Sequence, residues 1–147
     1  FRSTKTYGHE LGFSCAFRQW RANNSHCRFL HGYALSIKLE FTGDLDERNW
    51  VMDFGGLRAV KLMLERTFDH TTIVAEDDPL FAEFVRLDNL GVINMVTMPH
   101  VGCERFAEWI GNWVTTWLAK YKPDLTLLSV EVREHGANSA IWLKDPE

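Results

Sequence analysis

Between Gly32 and Phe41 the chain reads GYALSIKLEF, which sets Tyr33, Leu35, Ile37 and Leu39 on one face. Ala34, Ser36, Lys38 and Glu40 fall on the other, the period-two pattern of a half-buried strand. Weaker alternation runs from Ser3 to Phe17, and the polar QWRANNSH stretch, Gln19 to His26, follows as a loop. Thr42 to Asn49 is a turn cluster leading into a short apolar segment, Trp50 to Phe54. Helical spacing begins after Gly55-Gly56, where Leu57, Val60, Leu64 and Phe68 form one stripe. Pro79 to Asn89 predicts a second short helix with proline in its first turn, and Val92 to Met98 a strand. A longer helix carries Phe106, Ile110, Trp113, Val114, Trp117 and Tyr121 and stops at Lys122-Pro123. Two strands, Leu127 to Glu134 and Ser139 to Leu143, close the chain around a turn at His135–Asn138. The order ββ, helices, strand, helix, ββ, without an internal repeat, predicts an α+β fold: an antiparallel sheet with helices on one face.

Composition narrows the class. With 147 residues, 46% hydrophobic and 13% aromatic, the chain can bury a core and is no disordered tail. The length predicts a single domain over residues 1–147. Sixteen basic against twenty acidic residues leave a net charge of −4, with no basic cluster to bind nucleic acid or an anionic membrane. No apolar run approaches the roughly 20 residues of a membrane helix, and no signal-peptide pattern opens the chain. Three cysteines (Cys15, Cys27, Cys103) suggest no disulfide framework and predict a cytoplasmic setting.

Four places carry chemistry-bearing residues. Cys27 and His31 lie in CRFLHGY, a loop running into a strand. They read as half a zinc site, as a reactive thiol, or simply as a small buried cysteine beside a satisfied histidine. Asp69-His70 ends the first helix, where a carboxylate can fix an imidazole's tautomer, or where both are merely solvated. Glu134 continues a line with Leu128, Val130 and Val132, so it either grips a guanidine-like edge with two parallel hydrogen bonds or stands wet at the rim. Glu104 opens the tryptophan-rich helix, where an acidic residue complements the helix dipole.

Together FSCAF (13–17), CRFLHGY, VMDFGGL, FDHTTI, VGCERFAEWI and EVREHGANSAIW resemble, in order and spacing, the 6-pyruvoyl-tetrahydropterin synthase / 6-carboxy-tetrahydropterin synthase family. The resemblance implies the tunnelling fold, in which subunits join sheet to sheet as trimers or hexamers with active sites at subunit interfaces. The Pro79–Met98 stretch is then an insertion. It implies Cys27 as the reactive thiol, Asp69 and His70 as its acid/base partners, and Glu134 as anchor of a pterin's amino-pyrimidine edge. Glu104 and Cys103 match a segment near the pterin. The implied activity is a lyase acting on 7,8-dihydroneopterin triphosphate, of the 6-carboxy-tetrahydropterin type that feeds queuosine and deazapurine synthesis. Alternatives are 6-pyruvoyl-tetrahydropterin synthesis, dihydroneopterin side-chain cleavage, and a non-catalytic pterin- or purine-binding protein. The family cofactor is zinc on three histidines; here Phe17 and Tyr33 stand at two of those positions and His31 alone is kept, with Cys15 and His26 as conceivable substitutes. Phe and Tyr are expected to make that part of the pocket apolar.

Overall fold

A computed structural model describes residues 1–145. Seven strands form one curled sheet: β1 (Arg2–Tyr7), β2 (Phe13–Phe17), β3 (His31–Thr42), β4 (Thr71–Ala75), β5 (Met95–Met98), β6 (Thr126–His135) and β7 (Asn138–Leu143). Three α-helices, α1 (Arg58–Phe68), α2 (Phe81–Asn89) and α3 (Cys103–Tyr121), cover one face. The long strand β3 organises the rest. Its first half pairs with β2 and its second half with β1, so those two strands follow each other along one edge. β6 pairs antiparallel along the other edge, and β7 flanks β6.

The sheet is mixed rather than wholly antiparallel. β4 runs parallel to β2, and β5 parallel to β4. Parallel neighbours need a crossover, and the Pro79–Met98 stretch supplies one as β4–α2–β5. β4 lacks the alternation that betrays a half-exposed strand, because all five residues of TTIVA are buried. The α+β class and the placement of helices on one face stand.

Alternation along β3 delivers the core: Leu35, Ile37, Leu39 and Phe41 are fully buried, as are Val60, Leu64 and Phe68 of α1. On α3 the buried line is Phe106, Ile110, Val114 and Leu118, while Trp113 and Trp117 are only partly covered and Tyr121 is exposed. On β6 the register shifts opposite Glu40 and Phe41, so Leu127, and not Leu128, enters the core ahead of Val130 and Val132.

Gly111 is a tight joint between α3 and the sheet. A Cβ built there would lie 2.5 to 2.8 Å from the Trp142 indole ring of β7. Gly→Ala inside a helix ordinarily gains up to about 1 kcal/mol. Here overpacking reverses the sign, and Gly111→Ala is expected to destabilise the fold by about 1–3 kcal/mol. Urea denaturation measures it; a variant as stable as the parent would show that the indole moves away freely.

Candidate active site

Where β2 meets β3 the register sets Phe17 opposite His31 and Cys15 opposite Tyr33, all four side chains on the core-facing side. Phe17 is buried, its ring edge-on to Phe106 with centroids 4.9 Å apart, and lies 5.9 Å from the Tyr33 ring and 6.2 Å from His31. The His31 Nδ1 lies 2.7 Å from the Phe29 carbonyl oxygen, and its Nε2 3.0 Å from the Tyr33 hydroxyl. A carbonyl only accepts, so Nδ1 carries the hydrogen. In the neutral ring the Tyr33 hydroxyl then donates to Nε2. The expected apolar replacement is therefore half wrong: Phe17 is an apolar wall, but Tyr33 brings a fixed hydroxyl.

Cys27 is held by its backbone. Its N–H donates to Ser25 Oγ at 3.2 Å and its carbonyl accepts from the Gln19 N–H at 2.8 Å. Its half-buried thiol is near enough to Tyr33, with Glu134 and Cys103, to act on the phenol electrostatically. Burial pushes the Tyr33 hydroxyl pKa up, and the negative charge of the Glu134 carboxylate adds to the shift.

Glu134 is half-buried and sits where the β6–β7 ladder slips between Arg133 and His135. Bulges of this kind re-aim a side chain. Counting from Val130 and Val132, Glu134 falls on the core side. Its carboxylate lies beside the Cys103 thiol at the start of α3. Burial above all, and then that carboxylate, keep Cys103 protonated. No arginine among the described residues pairs with Glu134, whereas its neighbour Glu131 takes Arg133. Glu104, one residue after Cys103, is exposed and lines a separate groove of about 490 Å³ with Arg21, Asp77, His100 and Arg105. The structure thus brings Cys27, His31, Tyr33, Cys103 and Glu134 to one end of the sheet and leaves Glu104 at its margin.

Asp69 and His70 form a unit of their own. The Asp69 Oδ1 takes the His70 Nδ1 at 2.6 Å, which leaves the other ring nitrogen in a side chain 85% exposed. His70 has φ +57°, a left-handed conformation that costs a non-glycine residue energy. Its N–H donating to the Ser14 carbonyl at 2.7 Å fixes it there. Ser14, which holds His70, and Gln19, which holds Cys27, are five residues apart on one extended segment, about 16 Å. Within one chain the backbone anchors of this imidazole and of Cys27 therefore stand well apart.

The residues around His31 do not fit a zinc ion. Among the described residues no three His, Cys, Asp or Glu side chains gather to hold a metal. Both His31 nitrogens are engaged, and Cys15 is buried with its thiol pushed up to about 12, far from the thiolate a metal needs. His26 is exposed on the loop, its ring beside Phe29 at 6.4 Å. The substitutes Cys15 and His26 therefore do not complete a site with His31. Sequence reading overlooked the role of Tyr33; the short i to i+2 spacing of His31 and Tyr33 on one strand face was the available signal.

A curled mixed sheet with helices on one face is the architecture of a tetrahydropterin-synthase-like α+β protein. Residues 8–145 match the family model described as 6-pyruvoyl tetrahydropterin synthase, and the chain belongs to that family, one of pterin lyases. A relative from Pyrococcus abyssi, provisionally named a 6-carboxy-5,6,7,8-tetrahydropterin synthase, is 30% identical over 98 residues, covering 60% of this chain and 59% of that protein. Among solved structures, an uncharacterized Wolinella succinogenes protein superposes with TM-score 0.84 at 20% identity, covering 99% of this chain and 98% of its own. Plasmodium falciparum 6-pyruvoyl tetrahydropterin synthase superposes with TM-score 0.70 at 18% identity, covering 97% and 98%. These two likenesses speak for the fold. No helix among the described residues is long and apolar enough to cross a membrane.

Proposed function

We propose that the chain is a lyase that takes 7,8-dihydroneopterin triphosphate to 6-carboxy-5,6,7,8-tetrahydropterin, in the manner of the enzymes that supply queuosine and other deazapurines. One observation carries the reading: a half-buried carboxylate, Glu134, that follows Val130 and Val132 on the core side of β6 and pairs with no arginine among the described residues. Such a group suits a ligand edge that presents two N–H donors in parallel, as an amino-pyrimidine does. With the ring anchored there, its side chain reaches toward Cys27 and Tyr33. Cys27 takes and returns protons on that side chain, and the Asp69-oriented His70 of a neighbouring copy passes protons at the opposite end as triphosphate leaves. The working protein is accordingly a homo-oligomer, trimeric or hexameric, in the cytoplasm.

Glu134→Ala is expected to weaken pterin binding by about 10–100-fold, the worth of a charge-assisted pair of hydrogen bonds. Quenching of pterin fluorescence measures it, and unchanged affinity would remove the basis of the reading. Acetaldehyde among the products distinguishes the 6-carboxy route from 6-pyruvoyl-tetrahydropterin synthesis. A second reading, binding without turnover, draws on the misfit between the His31 surroundings and the family metal. It predicts that Cys27→Ala binds pterin as the parent does and that neither forms product.

A further inference from the structure

The disagreement between the family's metal and this chain's side chains has a positive content. His31 is not an idle remnant: Phe29 O, the His31 ring and the Tyr33 hydroxyl form a closed chain of two hydrogen bonds, 2.7 and 3.0 Å long. That chain consumes the Nε2 lone pair, which an ion would need. Phe17 fills a second direction with a ring that cannot coordinate, and it is locked by its edge contact with Phe106. Cys15, opposite Tyr33 in the register, is buried and protonated. At Phe17, His31 and Cys15 an ion would thus meet an apolar ring, an engaged nitrogen and a neutral thiol.

The same hydrogen bonds give Tyr33 a defined orientation. With its proton committed to His31, the phenol oxygen keeps lone pairs with which to accept a hydrogen bond, within electrostatic reach of Glu134 and Cys27. We propose that this site works without a bound zinc ion, and that the Tyr33 oxygen, oriented by His31, is the fixed polar contact for the hydroxyl-bearing side chain of the ligand. The ligand assignment rests on the pterin reading above; the exclusion of zinc does not.

The test uses the purified, assembled protein. The parent and the double variant Phe17→His/Tyr33→His are dialysed against excess zinc, then against metal-free buffer, and their metal is counted by mass spectrometry. The parent is expected to retain far less than stoichiometric zinc, and the double variant about one ion per chain, held by three imidazoles. A parent that keeps about one zinc per chain, and loses it as His31→Ala, overturns the proposal. Should the double variant not fold, titration of the parent with Co²⁺ decides. The absorption of a tetrahedral nitrogen-ligated ion would overturn the inference, and its absence supports it. For the contact itself, Tyr33→Phe is expected to weaken binding of 7,8-dihydroneopterin triphosphate about tenfold, as for one lost hydrogen bond, with a chelator changing neither value. Equal affinity in parent and variant would overturn the role given to Tyr33. Metal content is read whether or not a pterin binds, so failure of the pterin reading and failure of the zinc exclusion are seen separately.

Discussion

Cys27→Ala chains and His70→Ala chains, each lowered about 10²–10⁴-fold in turnover alone, are expected to recover about a quarter of native activity when refolded together in equal amounts. The reason lies in the anchoring of the two residues. Cys27 hangs from Gln19 and His70 from Ser14, about 16 Å apart along one segment. The His70 side chain is almost wholly exposed, with Asp69 half-buried beside it. A thiol and an imidazole anchored that far apart within one chain can meet across two. In a mixture, a site is intact when its cysteine comes from a His70→Ala chain and its histidine from a Cys27→Ala chain. Random assembly makes that one site in four, by two independent halves. Recovery is followed as product formed against the mixing ratio. Mixed oligomers that assemble but stay as inactive as their parents would sink the interfacial site and, with it, the proton path proposed above.

The second large effect concerns stability. Asp78 has a side chain only 1% exposed and accepts from Arg18 through Nε at 2.8 Å and through a second guanidinium nitrogen, and from the Leu80 N–H at 2.8 Å. This cluster ties the end of β2 to the loop that follows β4, across the parallel pair. Truncating one member of a buried pair strands the other, so Asp78→Ala is expected to cost about 3–5 kcal/mol, and Asp78→Asn most of that. Burial by itself would raise the Asp78 pKa; the Arg18 guanidinium and the Leu80 N–H outweigh it and leave the carboxyl below its ordinary value. A folded-state pKa below the unfolded one means that the contribution is present above about pH 4 and is lost as pH falls further. Denaturation midpoints of parent and variant are therefore expected to converge in acid. A gap between them that persists undiminished at the lowest pH would show that the carboxylate's charge is not what stabilises the joint.

How far the chain could be read from its residues depends on which signal each element leaves. β3, α1 and the body of α3 are each buried on one side only, and one-sided burial writes a period into the sequence. β4 is buried throughout, so TTIVA has no period and passed unnoticed between a helix and a loop. With it went the parallel part of the sheet. Cys27, Asp69, His70 and Glu134 were legible as residues able to do chemistry, and the neighbourhood of Cys27 and Glu134 then follows from the fold. The separation of His70 from both was not legible, since it depends on the β2–β4 register that the missed strand creates. Arg18 and Asp78 are 60 residues apart and look like two surface charges until the parallel pairing closes over them.

The slip in β6 at Leu128 fixes more than local pairing. Strict alternation from the buried Leu127 would carry Ser129, Glu131 and Arg133 inward and turn Glu134 outward. The extra residue resets the phase, so that Val130, Val132 and Glu134 fall on the inner side instead. The strand is thus two independently phased halves joined by one residue left out of the β3 register: the first half answers to the core beneath Phe41, the second to the end of the sheet where Cys27 and Tyr33 gather. Drift in the hydrophobic pattern near Leu127 can accumulate without rotating the carboxylate, because the correction lies between them.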